Sequence, residues 1–104
     1  MNLALDYDDT YTRDPIFWNG VIDLAQSRGH KVYCITARSK YHANDVYDDL
    51  GKLLGKDACM FTDGLAKKSF AYAQGVSIDV WIDDCPFFVD NSVKVDDNVT
   101  RLWS

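Results

Sequence analysis

Asp6-Tyr7-Asp8-Asp9-Thr10 follows directly on the apolar run Leu3-Ala4-Leu5. Two carboxylates two residues apart, at the end of a short hydrophobic strand, can converge on one cation or one phosphoryl group. A buried acidic cluster is costly unless something neutralises it, and the cheapest neutraliser is a metal ion held by hard oxygen ligands. Asp also favours turns, so D-x-D alone fits an ordinary Asp-rich turn as well. The rest of the chain bears on the choice.

Polar groups recur at the ends of the other apolar runs. Lys31-Val32-Tyr33-Cys34-Ile35 ends at Thr36, Ala58-Cys59-Met60-Phe61 ends at Thr62-Asp63-Gly64, and Ile78 to Ile82 ends at Asp83-Asp84. Right-handed crossovers between parallel strands bring such ends to one edge of the sheet, where open α/β proteins keep their chemistry. The expectation is that Asp6, Asp8 and Asp83 share a site.

The elements that must position these groups alternate between β-rich and helix-like segments. After a strand over Leu3 to Asp6, Asp14-Pro15 reads as an N-cap with proline at the first helical position. Phe17, Val21, Leu24 and Ala25 form the stripe of that helix, and Gly29 stops it. A second helix spans Ser39 to about Leu54, with Ala43, Val46, Tyr47, Leu50, Leu53 and Leu54 at helical spacing and Gly55 closing it. A third runs from about Ala66 to Gln74, with Phe70 and Ala73 on one face. Beyond Asp84 the sequence predicts turns at Pro86 and at Asp96-Asp97-Asn98, then a last strand over Val99 to Trp103. This pattern predicts an α/β fold with a mostly parallel sheet of about five strands and helices on both faces.

With 104 residues, 47 % of them apolar, the chain is read as one domain with an economical core. No stretch approaches the ~20 apolar residues of a membrane span, and Met1-Asn2 leads into the first strand without a signal-like segment. A soluble, cytoplasmic protein is expected. Cys34, Cys59 and Cys85 are odd in number and widely spaced, which fits buried thiols in a reducing compartment better than a disulfide frame or a zinc site. A formal charge of −5 argues against non-specific nucleic-acid binding, although a local basic groove is compatible with it.

In this order and context the residues resemble the haloacid dehalogenase (HAD) superfamily of phosphohydrolases, over nearly the whole chain. Leu3 to Thr10 looks like its first motif, an apolar strand running into D-x-D-x-T. Val32 to Arg38 looks like its second, an apolar strand ending in Thr or Ser. Lys67 or Lys68 matches the lysine of the third, and Val80-Trp81-Ile82-Asp83-Asp84 looks like the acidic fourth. The resemblance implies a three-layer Rossmann-like domain and Mg²⁺-dependent hydrolysis of a phosphomonoester. Asp6 would attack phosphorus to form an acyl phosphate, which splits one difficult displacement into two easier ones. Asp8 would be the general acid and base. Thr36 and Lys67 would hold the charged phosphoryl group. Mg²⁺ would be bound by Asp6, the backbone carbonyl of Asp8, Asp83 and, as an open choice, Asp84.

The chain departs from the family pattern in two places. Asp9 stands where the family commonly has Gly, and no segment is long enough for a cap domain, so the resemblance is to a minimal, capless member. An open site of that kind suits a large phosphorylated substrate, or a small one covered by a second subunit of a homo-oligomer. Trp18, Tyr11, Arg13, Arg38 and Tyr41 fall near the expected opening, with Trp18 and Tyr41 also fitting as packing residues and His42 as a surface residue. Three other readings remain beside the phosphatase: a regulatory or binding protein that keeps the fold without turnover, a nucleic-acid end phosphatase, and a response-regulator receiver. The receiver needs its phosphorylated Asp after the third strand, whereas here the second acidic pair follows the fourth.

Overall fold

A computed structural model gives the fold of residues 1–93. It is α/β, with a four-stranded parallel sheet in the order β3-β2-β1-β4 among the described residues. The strands are β1 (Asn2–Leu5), β2 (Lys31–Thr36), β3 (Cys59–Phe61) and β4 (Val80–Ile82). The expected turn at Asp96-Asp97-Asn98 and the expected strand over Val99 to Trp103 lie outside the described residues.

Side-chain alternation along the strands sorts the core into two clusters. Leu5, Val32, Cys34 and Cys59 pack with Ile22 and Ala25 of α1 (Pro15–Ser27) and with Val46 and Leu50 of α2 (Asn44–Leu54). The intervening residues Ala4, Tyr33, Ile35 and Met60 pack with Ala71 of α3 (Lys67–Ala73). Both sides of β1 and β2 are therefore covered. This explains why the two strands read as nearly continuous apolar runs rather than as alternating ones.

Helix α1 begins where its capping chemistry requires, whereas α2 and α3 start without a side-chain cap, and α1 and α3 each turn a face to the core that only partly matches the expected stripe. The Asp14 side chain accepts from the Phe17 N–H at 3.2 Å, with Pro15 as the first helical residue. The buried stripe of α1 is Ile22 and Ala25 with Trp18 packed beside them, whereas Phe17 and Leu24 are exposed. Both stripes have helical spacing, and the choice between them depends on how the loop after β1 aims the helix. In α3 it is Ala71 that is buried, with Phe70 packed against the cluster and Ala73 exposed. The expected helix from Ser39 is broken at Ala43 into a 3₁₀ turn (Lys40–His42) and α2. Ser39 caps the turn by accepting from the Tyr41 N–H. Gly55 closes α2 at φ 87, a left-handed conformation that glycine adopts without steric cost.

Three smaller differences complete the comparison. A 3₁₀ turn, Lys56–Ala58, takes the first residue expected in β3. β4 is shorter than expected, and Asp79 just before it is tied to β1 through the Asn2 N–H and carbonyl. A four-residue helix α4, Phe87–Asp90, follows Pro86 where only a turn is predicted. All three cysteines are free thiols, Cys34 and Cys59 buried and Cys85 half-buried. Burial pushes the Cys59 thiol up to about 11 and holds Cys34 well above the usual thiol range, so both stay protonated and unreactive. Among the described residues no helix is long and apolar enough to cross a membrane.

Candidate functional site

Strand register brings the acidic residues together. Leu5 is paired with Ile82, so the next residue on each of these neighbouring strands is a carboxylate, Asp6 on one and Asp83 on the other. The Asp6 N–H donates to the Ile82 carbonyl at 2.9 Å, which continues the ladder by one more bond. On the other side of β1, Leu5 is paired with Cys34, which sets Thr36 at the same edge of the sheet. Thr36 is fully buried, and its hydroxyl accepts from the Arg38 N–H at 3.3 Å. That bond uses an acceptor lone pair and leaves the hydroxyl proton as a donor.

Lys67 joins the two carboxylates. Its Nζ donates to Asp6 Oδ1 at 3.0 Å and to Asp83 Oδ2 at 2.6 Å, and neither Lys67 nor Asp6 exposes any side-chain surface. Residues three and four places on from Lys67 are Phe70 and Ala71, which pack on the sheet, so the same helix face carries Lys67 inward. Lys68 lies on the exposed side. Of the two lysines left open by the sequence, Lys67 is the one with the carboxylates.

Thr10 makes a second bridge. Its hydroxyl lies 3.0 Å from Asp6 Oδ2 and 3.1 Å from Asp84 Oδ1, so one proton serves two carboxylates in turn, while the Asp84 N–H donates back to the same oxygen at 3.2 Å. The Cys85 N–H donates to Asp83 Oδ1 at 2.9 Å and fixes the turn after β4. As a result Asp6, Asp83 and Asp84 each offer an oxygen within 4.8 Å of the others. Three carboxylates against one ammonium leave a formal charge of minus two, which a single divalent cation would cancel. The donor set is all hard oxygen, as Mg²⁺ requires.

Asp8 is placed differently. Its carboxylate turns to Arg38, accepting from Nε at 2.8 Å and from Nη2 at 2.7 Å. Asp6 and Asp83 converge as expected, with Asp84 added, while the Asp8 side chain is not part of that group and is held in a two-bond pair with Arg38. The Asp8 bonds raise the Arg38 guanidinium above its already high range, and burial opposes them. Tyr7, between the two carboxylates in sequence, points into the core and donates to Asp49 of α2 at 2.5 Å. Burial first, and then the Asp49 bond, push its phenol far up, so it acts as a fixed donor rather than an acid.

Asp9 sits at φ 62, the left-handed conformation that explains why glycine would suit this position. An Asp tolerates it, helped by the bond from its N–H to Thr12 Oγ1 at 3.0 Å. Asp9→Gly is expected to change stability by less than about 1 kcal/mol, because the relief of backbone strain is offset by the greater freedom of the unfolded chain. Urea denaturation of the two proteins checks this, and a loss of several kcal/mol would show that the Asp9 side chain holds the turn.

An open cleft of about 400 Å³ adjoins the acidic group, lined by Arg13, Trp18, Ile82, Asp9, Asp83 and Asp84 among others. Tyr11 is buried instead, its hydroxyl bonded to Asn19, while Tyr41 is 81 % exposed and so is not a packing residue. His42 is half-buried, and its carbonyl accepts from Arg38 at 3.0 Å. The bridging role of Thr10 and the partnership of Arg38 with Asp8 are not evident from the sequence. The available signals were Thr10 one helical turn beyond Asp6 and Arg38 two residues past a strand-end threonine. Between β1 and α1 the chain makes only a 3₁₀ turn, Tyr11–Arg13, and between β2 and β3 only two such turns and α2. No protein-family model matches this chain, and no curated protein or solved structure matches it either.

Proposed function

We propose that this chain is a Mg²⁺-dependent phosphomonoesterase working through an aspartyl-phosphate on Asp6, built as a minimal, capless HAD-like domain with the three-layer Rossmann-like arrangement of that family. One observation carries the reading: a buried carboxylate at the end of the inner strand β1, held by a buried lysine that also holds the acidic residue after the neighbouring strand. A structural ion pair alone accounts poorly for this. Burying charges costs several kcal/mol per ion, and a core of the same volume made from apolar residues is often more stable. Free thiols fit a reducing, cytoplasmic setting.

The residues divide the work. Asp6 supplies the nucleophilic oxygen, with Thr10 and Lys67 fixing both of its oxygens in orientation. Attack on phosphorus breaks the ester bond to the leaving oxygen and leaves the phosphoryl group on Asp6, and water then returns it as inorganic phosphate. Lys67 and the Thr36 hydroxyl donate to the phosphoryl oxygens as charge builds on them. Asp8 gives a proton to the departing alkoxide and takes one from the attacking water. Asp6, Asp83 and Asp84 would hold Mg²⁺, which when bound offsets the repulsion between a carboxylate nucleophile and a dianionic phosphate. The capless edge leaves the cleft open to large substrates.

The test is phosphate release across phosphorylated metabolites, nucleotides and oligonucleotides with 3′- or 5′-phosphates. Turnover that needs both Mg²⁺ and Asp6 supports the reading. Its absence from every class of phosphomonoester would favour a binding protein. Metal binding has its own check. At 100 times its Kd, Mg²⁺ is expected to stabilise the fold by about 2.7 kcal/mol, raising Tm relative to EDTA, with the shift lost in Asp83→Ala and reduced in Asp84→Asn. Identical melting curves in EDTA and millimolar Mg²⁺ would rule out a cation site in the acidic cluster.

A further inference from the structure

By sequence Arg38 closes the second motif and falls near the expected opening of the site. In the structure its guanidinium is gripped on several sides. Nε and Nη2 donate to the two oxygens of Asp8, Nη1 donates to the His42 carbonyl at 3.0 Å and lies 3.7 Å from Asp45 Oδ2, and the group sits 5.0 Å from the centroid of the Tyr7 ring. Its backbone is fixed as well. The N–H donates to Thr36 Oγ1, and the carbonyl accepts from the Asp63 N–H at 3.1 Å. The side chains of Arg38 and Asp8 are only 11 % and 16 % exposed, so water competes weakly for their bonds.

A guanidinium anchored by a carbonyl, a ring and a second carboxylate does not adjust to Asp8; Asp8 adjusts to it. Paired parallel bonds from a planar fork fix direction as well as distance, which a lysine ammonium at the same place cannot do. We infer that Arg38 is a positioning residue, which sets the location and plane of the Asp8 carboxylate relative to Asp6 and governs the proton transfer assigned to Asp8 without touching the substrate. The inference rests on the phosphatase reading above. It assigns to the loop after β2 a part in the chemistry beyond presenting Thr36.

The experiment measures kcat and KM for the wild type, Arg38→Lys, Arg38→Gln, Asp8→Asn and the Asp8→Asn/Arg38→Gln double variant in Mg²⁺. The probes are para-nitrophenyl phosphate, whose leaving group needs little protonation, and glycerol 2-phosphate, whose alkoxide needs it. Misplacing a catalytic group by about 1 Å can cost about 100-fold. Arg38→Gln is therefore expected to lower kcat on glycerol 2-phosphate by about 100-fold with KM nearly unchanged, and to cost less on the aryl ester. Arg38→Lys, which keeps the charge and loses the fork, should fall between Arg38→Gln and the wild type. The double variant should be no slower than Asp8→Asn alone, because a residue acting only through Asp8 has nothing left to position. A lesion that merely loosened the fold would instead multiply with Asp8→Asn. If kcat is unchanged in both Arg38 variants, or if KM rises and the effects multiply, the inference is overturned while the phosphatase reading stands. Wild-type protein that releases phosphate from neither probe nor from any other class of phosphomonoester removes the reading, and the inference falls with it.

Discussion

Asp6→Asn is expected to reduce phosphate release to background while leaving the protein folded. The loss should be at least about 10⁴-fold, the scale on which removal of a catalytic nucleophile is felt. The amide is nearly the shape of the carboxylate, and the surrounding bonds can accommodate it. Its oxygen can accept from Lys67 in place of Asp6 Oδ1, and its NH₂ can donate to Thr10 if the Thr10 hydroxyl turns its proton to Asp84. The acidic cluster also loses one of its uncompensated charges, so stability without metal should be kept or gained. Asp8→Asn should behave differently. The nucleophile remains, so aryl esters should still turn over, and the loss should grow as the leaving group becomes more basic. Both variants losing rate by one common factor across all leaving groups would dissolve the distinction between the two carboxylates and bring the regulatory-binder reading forward.

Lys67→Met should have the largest effect on stability. Methionine is close to lysine in length, but it leaves Asp6 and Asp83 without the ammonium that donates to both. Removing one partner of a buried ion pair typically costs about 3–5 kcal/mol, a large share of the roughly 5–15 kcal/mol that holds a domain folded. Mg²⁺ should recover part of that loss, because a cation bound by the same carboxylates supplies the missing charge. Denaturation midpoints in EDTA and in Mg²⁺ separate the two effects. A variant as stable as the wild type in EDTA would show that the buried ammonium is not what the carboxylates depend on.

Strand ends were the legible part of this molecule. Asp6, Thr36 and Asp83 each close an apolar run, and a parallel sheet has only one edge at which such residues can gather. The structure adds the register that makes Asp6 and Asp83 immediate neighbours. What the sequence did not reveal is side-chain direction. Asp6 and Asp8 share a motif, yet one turns to Lys67 and Thr10 and the other to Arg38, because the chain has left the strand at Asp8 and is turning through the left-handed Asp9. The choice of stripe on α1 was illegible for a related reason. The expected Phe17-Val21-Leu24-Ala25 and the observed Trp18-Ile22-Ala25 are both helical spacings in an apolar helix and share Ala25, and only the packing on β1 and β2 selects the second. By contrast, the choice between Lys67 and Lys68 follows from which face of α3 meets the sheet, and Ala71 rather than Ala73 defines that face.

The central claim concerns a covalent bond to one residue, and a single-turnover reaction addresses it most directly. Protein mixed with a turned-over phosphomonoester in Mg²⁺, quenched in acid within the first turnover and digested, should yield one phosphorylated peptide. The label should map to Asp6, be released by hydroxylamine as acyl phosphates are, and be absent from Asp6→Asn. Phosphate release without any label on Asp6, or a label on another residue, would contradict the account.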